Sequence, residues 1–461
     1  MKKPVLQEPD FPDTSLTEDY AELEADLFVR RFQSLYEKMD EHSIDYLALY
    51  ADREHAANFR YLMNFEPRFE EAILVVPLKS KPVVFLGNEN RAMPNYFTKA
   101  EHETVHFPSL SLLDQPRIDK NSFKDYLMQM GIKNNARIGL VGWKYFTPAD
   151  GMESAFETPH YIVETLRSLV GDANVKNAAA LFMHADHGLR SFVEPAQLAE
   201  YEYAACLASG SVFAVLDNAQ PGQTELSLAR HFQTRGVPTS CHPMLSVKEK
   251  ARLGLPSPSR QRIDYGDFLT VALGLRGALS CRAAYLVSSK DDVPQVGRAW
   301  TEEVLHPYMT AAYTWVKNLK AGITGGEMYQ AIEQAYPKKR HGWSLNPGHL
   351  IADDEWVSSP IYEGSTIVIK SGSYIQLDII PGPAKPSFGA NIEDGYYVAD
   401  SSLRQQLAAQ HPALYERMRK RRNYMIEKLG FSLSEDLLPV SPGCGYYRPY
   451  LLSREKAFVF E

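Results

Sequence analysis

Across residues 16–41 the apolar side chains Leu23, Leu27, Phe28, Phe32, Leu35 and Met39 return every three or four positions among acidic and polar ones. That period places them on one face of an amphipathic helix. The pattern then shortens. Runs at residues 46–50, 59–65, 72–77, 82–86 and 137–141 are rich in β-branched and aromatic residues and are separated by Asn, Gly and Pro, so each predicts a strand. Together they predict a first α/β domain over residues 1–180. Residues 195–216, PAQLAEYEYAACLASGSVFAVL, read as a strong helix, and the Pro-Gly turn before Thr224-Glu225 opens another. Strands are predicted around residues 268–275 and 283–287, and a helix at 300–319. A second Gly-rich opening at residues 321–329 resembles the first. This recurrence predicts an internal pseudo-duplication within a second domain over residues 181–461. From about residue 401 a long helix and an aromatic tail, GCGYYRPYLL, read as a C-terminal helical extension that covers a pocket or a partner.

A chain of 461 residues exceeds one ordinary core, and 44% apolar against 23% charged residues excludes disorder. The net charge of -8 argues against nucleic acid or an anionic membrane as partner, since such surfaces demand concentrated Lys and Arg. One basic run, RMRKRR at residues 417–422, shares its helical pattern with Tyr415, Met418, Tyr424 and Met425 and reads as a solvated face. Cys206, Cys241, Cys281 and Cys444 show no paired spacing, so reduced, mostly buried thiols are expected rather than a zinc ribbon or a disulfide framework. No run of about 18 apolar residues offers a membrane span, and no apolar segment follows the opening Met-Lys-Lys, so a cytoplasmic protein is expected. Neither a Gly-x-Ser-x-Gly elbow nor a phosphate-binding Gly-Lys-Ser/Thr ending is present.

Residues 268–290, FLTVALGLRGALSCRAAYLVSSK, contain no aspartate, glutamate or histidine. That absence gains meaning from its neighbours. FRYLMNFEPRFEEAILVVP at residues 59–77 resembles the N-terminal domain of creatinase and aminopeptidase P. AQPGQTELSLARHF at 219–232, IDYGDFL around Gly266-Asp267, PGHL at 347–350 and ANIEDGYYVAD at 390–400 resemble their catalytic domain, in the same order. The resemblance, to the creatinase, aminopeptidase P and prolidase superfamily, implies an α/β chain: a creatinase-type N-terminal domain followed by a pita-bread domain, assembled as a homodimer. Peptidases of this superfamily hold two divalent metals on two aspartates, one histidine and two glutamates. The resemblance places Ala272 at the first aspartate, a residue near 281–283 at the second, His349 at the histidine, Lys370 of IKSGSY at the first glutamate and Glu393 at the last. Three of the five ligands are thereby replaced, one by a cation, and neither metal nor cofactor is expected. Lys370 then either pairs with Glu393 inside the pocket or extends from a strand end to solvent.

Creatinase works without metal through a histidine in a His-x-x-Pro-Ser pattern, but here LPSPS begins with Leu255. His242 is the nearest substitute, or a structural histidine after a turn. His349 is the stronger acid–base candidate, because an imidazole titrates nearest neutrality, with Glu393 as its partner. Asp354, Glu355 and Trp356 follow closely and form either a substrate wall or a solvated acidic loop. Arg276 and Arg282 flank the centre of the acid-free strand pair. An inward Arg282 would bind a substrate carboxylate or hold Glu393, and an outward one would reach solvent. Tyr374, Gln376 and Asp378 share strand parity and either line the same cavity or lie on a salt-bridged edge. Three functional readings follow: a metal-independent hydrolase of carbon–nitrogen bonds, a non-catalytic peptide-binding pseudoenzyme, and a two-metal Xaa-Pro aminopeptidase that would need acids where the chain has none. All three take a small molecule or short peptide.

Overall fold

A computed structural model describes residues 2–16, 22–118, 121–152, 154–382 and 388–461. The chain forms two compact units, residues 23–190 and residues 1–22 with 191–461. The opening strand β1 (Pro4–Gln7) pairs antiparallel with the last, β15 (Ala457–Phe460). The first residues thus belong with the second unit and not, as the sequence division had it, with the first.

In the unit of residues 23–190, helix α1 (Ala25–Glu41) buries Leu27, Phe28, Phe32, Leu35 and Met39 along one face, as their spacing requires. The predicted start of this helix at residues 17–21 lies outside the described residues. Strands β2 (Tyr46–Ala51), β3 (Ala72–Pro77), β4 (Val83–Leu86), β5 (Glu103–His106), β6 (Ile138–Val141) and β7 (Val175–Asn177) form a mixed sheet in the order β5-β4-β3-β2-β6-β7. Tyr50, Ile73 and Phe85 of this sheet pack with Phe123 and Leu166 from helices α2 (Phe123–Gln129) and α3 (His160–Val170). Residues 59–65 depart from the expected strand. They lie largely in a helix, Ala57–Met63, closed by Asn64 in the left-handed conformation, and Asn58 donates to the Gly142 carbonyl at 2.7 Å. Tertiary contacts here override the strand preference of an aromatic run, and Asn64 was the sequence signal for a helix end.

In the larger unit, strands β8 (Met244–Val247), β9 (Phe268–Leu275), β10 (Ala278–Tyr285), β11 (His349–Leu350), β12 (Tyr374–Leu377) and β13 (Asn391–Val398) make an antiparallel sheet in the order β11-β12-β13-β10-β9-β8, with β14 (Leu437–Pro439) added on β13. Helix α4 (Pro195–Asn218) packs on β9 and β10. The two Gly-rich openings adopt the same local geometry. Helix α4 ends at Ala219 and helix α6 (His306–Asn318) at Leu319, both with φ -67° and ψ 121°. Gly222 and Gly322 then turn at φ 93° and 88°, a conformation open to glycine, and each donates its N–H to an isoleucine carbonyl, Ile263 or Ile369. Thr224 and Thr324 finally cap helices α5 (Glu225–Ala229) and α7 (Gly325–Ala335). The helix predicted at 300–319 begins with a π-helical turn over Thr301–Leu305.

The basic run is a solvated face only in part: Arg419 and Lys420 are exposed, whereas Arg417 and Arg421 turn inward. On helix α8 (Pro412–Glu427), Arg417 and Arg421 both pair with Glu202 of α4, whose side chain is fully buried. Burial pushes the Glu202 carboxyl upward, but the two arginines outweigh it and hold the group below its ordinary range. The aromatic tail is core rather than cover: Tyr446 and Tyr447 are each 1% exposed.

Strand β10 starts at Ala278, five residues before the predicted strand, because Arg276-Gly277 closes a two-residue hairpin from β9. Gly277 has φ 84°, donates to the Ala352 carbonyl, and faces the Tyr201 ring where a Cβ would stand. Gly277→Ala is expected to cost about 2–4 kcal/mol, combining the left-handed penalty with overpacking, read from the urea midpoint at unchanged m-value.

Candidate functional site

The hairpin sets the face that each neighbouring residue presents. Ala272 of β9 stands opposite Cys281 of β10, and Cys281 stands opposite Glu393 of β13, so all three share one sheet face. That face lines a cavity of about 530 Å³ walled by Met244, Phe268, Leu279 and Ile380, with Arg252 and His242 also on its lining. One face of the acid-free window is therefore cavity wall, uncharged where the resemblance called for two aspartates.

Acidic groups gather at the cavity floor. His349 sits on β11, Asp378 just past the end of β12 and Glu393 on β13. Nε2 of His349 lies 3.3 Å from Glu355, 3.8 Å from Glu393 and 4.0 Å from Asp378. Trp356 stacks on the imidazole, with ring centroids 4.1 Å apart and planes 17° apart. His349 has no solvent exposure and Asp378 is 4% exposed, with its Oδ1 lacking a hydrogen-bond partner.

Burial disfavours every charge in this cluster, and the neighbours decide which charge survives. For His349 burial pulls downward, yet Glu355 and Glu393 win and push the imidazole up to about 10. Asp378 is raised to about 6, chiefly by burial, with His349 opposing. Glu393 is raised well above its ordinary range by burial and by the adjacent Asp378. The balance favours a proton on His349, which lies behind the cavity lining, and raises the proton affinities of Asp378 and Glu393 on the lining itself. The Cys281 thiol is raised by burial and Cys241 is pushed up to about 12 for the same reason, so both cavity thiols stay protonated and weakly nucleophilic.

The donor set does not fit a two-metal centre. Among the described residues, His349, Asp378 and Glu393 bring one ligand atom each within 4.8 Å of one another, a set suited to one ion. A second ion would draw on β9 and β10, where Ala272 has no ligand atom and Cys281 offers a single thiol in place of a carboxylate.

Of the residues singled out in the sequence, His349, Glu393, Glu355, Trp356 and Asp378 come together here. Lys370 does not. It is exposed, its ammonium 5.6 Å from the Phe192 ring, and Asp378 takes the place beside His349 and Glu393 that it was expected to fill. Arg282 points to the opposite sheet face, where it is 2% exposed and bonds Asp394 at 2.8 Å and the Gly443 and Tyr446 carbonyls. Arg276 lies in the hairpin, 4.0 Å from Glu200. Tyr374 stacks toward Tyr201 and against Gly395, away from the cavity, and Gln376 donates to the Leu279 carbonyl. They share the sheet face of His349 and Glu393, since Gln376 pairs with His349 and Gly395, but the cavity does not extend to them. Asp354 is not on the cavity lining. His242 is, with its Nε2 2.7 Å from the Leu255 carbonyl. Pro383 of the IIPGP segment lies outside the described residues. Arg252, which stacks on Phe388 at 4.2 Å, was missed: it stands in a 3-10 turn and no motif marks it.

No protein-family model matches the chain, and no curated protein matches it in sequence. Among the described residues no helix is long and apolar enough to cross a membrane. Solved structures are similar over most of their length. An Xaa-Pro dipeptidase from Bacillus anthracis aligns with a TM-score of 0.61 at 17% identity, covering 81% of this chain and 96% of that one. A dipeptidase from Mycobacterium ulcerans aligns with a TM-score of 0.62 at 16% identity, covering 82% and 94%. A prolidase from Pyrococcus furiosus aligns with a TM-score of 0.59 at 18% identity, covering 79% and 96%. With a mixed α/β unit before it and an antiparallel sheet flanked by paired capped helices, the chain has the pita-bread fold of these dipeptidase and prolidase structures.

Proposed function

We propose that the chain is a peptidase-like hydrolase that takes a short peptide or amino-acid derivative into the cavity and cleaves a carbon–nitrogen bond by acid–base chemistry rather than with two metals. The observation that carries this reading is the buried cluster of His349, Asp378 and Glu393, three titratable groups with pulled-apart proton affinities under an apolar cavity. Ionised Asp378 takes a proton from a water molecule as its oxygen attacks the carbonyl carbon. Glu393 gives its proton to the departing nitrogen as the carbon–nitrogen bond breaks, and the His349 imidazolium stabilises the negative charge that develops between them.

The proton states set a pH window. A base with an affinity near 6 gives kcat/KM that rises through about pH 6, and activity falls on the alkaline side as Glu393, the proton donor, and the imidazolium, near 10, lose their protons. Steady-state assays across pH 4–11 check this. The reading as a whole is tested on chelator-treated protein with a panel of Xaa-Pro dipeptides and N-acyl amino acids. Turnover that persists in chelator supports it. Turnover that needs two equivalents of manganese overturns it in favour of a two-metal aminopeptidase, and tight binding with no turnover overturns it in favour of a pseudoenzyme.

A further inference from the structure

The cavity has a direction. Glu393, Cys281, Ala272 and Met244 are successive cross-strand partners on β13, β10, β9 and β8, and all four lie on the lining. At roughly 4.8 Å per strand this row runs for about 14 Å. A carboxyl group stands at one end, and the three residues after it are uncharged. Phe268 and Leu279, in phase with Ala272 and Cys281 on the same strands, flank the row on the cavity face. Beyond Met244 comes the segment that follows the 3-10 turn Lys248–Arg252. Leu245 donates its N–H to the Pro256 carbonyl at 3.1 Å, and His242 Nε2 lies 2.7 Å from the Leu255 carbonyl, which holds this segment beside β8. There Leu253 and Leu255, both on the lining, are 68% and 66% exposed. A single exposed leucine means little, but two at the end of a buried apolar row extend it into a continuous apolar path from solvent to the acids. A free dipeptide carries a charge at each end, and Met244, Leu253 and Leu255 offer neither charge a partner. Arg252 beside them is engaged with Glu249 at 2.9 Å and lies over the Phe388 ring.

We propose that this row holds the acyl chain of an N-acylated amino-acid derivative, a linear apolar chain that runs from the acids past Ala272 and Met244 to the mouth at Leu253 and Leu255. This names the substrate class of the site and rests on reading the cavity as the place where an amide bond meets Asp378 and Glu393. A long chain buries its methylenes along the whole row, whereas an acetyl group would leave Met244 and the two leucines uncovered. The short side chains of Ala272 and Cys281 keep the row open midway.

Calorimetric titration with N-acetyl-, N-hexanoyl- and N-decanoylglycinamide, below the concentrations at which they form micelles, tests this. Affinity is expected to rise about threefold to fourfold for each buried methylene, so that the decanoyl compound binds at least roughly a hundredfold more tightly than the acetyl compound. Sodium decanoate is expected to bind at least roughly tenfold more weakly than decanoylglycinamide, because its carboxylate would be buried beside the carboxyl groups of Asp378 and Glu393. Leu253→Asp combined with Leu255→Asp, both at exposed positions, is expected to cut the decanoyl-to-acetyl ratio at least roughly tenfold. Ala272→Phe, which closes the row midway, is expected to flatten the dependence on chain length while circular dichroism stays native. Affinity that does not change with chain length, decanoate binding as tightly as the amide, or an undiminished ratio in the double aspartate variant overturns the inference. Its failure is separable from that of the proposed hydrolysis. Dipeptide turnover with no chain-length effect sinks only the acyl assignment, and a chain-length effect with no cleavage of any amide sinks only the hydrolysis.

Discussion

Arg282→Ala is expected to destabilise the larger unit by about 3–5 kcal/mol, the cost of leaving a buried charge without its partner. Arg282 and Asp394 are 2% and 1% exposed and 2.8 Å apart, and the guanidinium also donates to the Gly443, Tyr446 and Cys281 carbonyls. Removing it leaves the carboxylate with only the Ser280 and Ser441 hydroxyls and takes a donor from four carbonyl groups, that of Glu393 included. Equilibrium urea unfolding measures the loss, with the tryptophan signal of Trp300, Trp315 and Trp343 as probe, all buried in this unit. Replacing both partners by similar-sized apolar residues, Arg282→Met with Asp394→Leu, is expected to recover most of the loss. A single-variant cost below about 1 kcal/mol would show the pair to be dispensable. The effect reaches the site because Asp394 follows Glu393 on β13 and Arg282 follows Cys281 on β10, so loosening this face shifts the cavity face of the same strands.

His349→Gln is expected to lower kcat by about 10²–10⁴-fold, the range for losing a positioned acid–base group, with little change in ligand affinity. Two further readouts separate catalysis from structural damage. The component of the falling limb near pH 10 should vanish from kcat/KM, leaving only the loss of the Glu393 proton. The stability profile should change as well. His349 binds its proton more tightly folded than unfolded, so its stabilising contribution is complete below about pH 6.5 and is lost as pH rises through about 10. The Gln variant should lack that alkaline decline. A variant with undiminished kcat would remove His349 from the mechanism.

Much of the scaffold was legible because burial leaves a period in the chain. The stripe from Leu27 to Met39 and the strands Ala72–Pro77 and Phe268–Leu275 have the bounds or faces that their pattern demands. The twin helix openings were legible too, since Gly at a left-handed turn and Thr at a cap are local requirements. What failed shares one feature: each error depended on partners distant in sequence. The strand preference of Phe59–Phe65 lost to packing around Asn58, and Arg417 and Arg421 read as solvated because nothing nearby announces Glu202 as their partner.

The site divides along the same line. The sequence alone determined that residues 268–290 could supply no acidic ligand, because composition is independent of register, and it singled out His349 and Glu393. Only the tertiary structure decided that Asp378 rather than Lys370 completes the cluster and that Arg282 serves the opposite face. The physical reason is the twofold alternation of a strand, in which a shift of one residue exchanges cavity for core, and that shift is fixed by cross-strand pairing set at the Arg276-Gly277 turn and not by any residue's own preference.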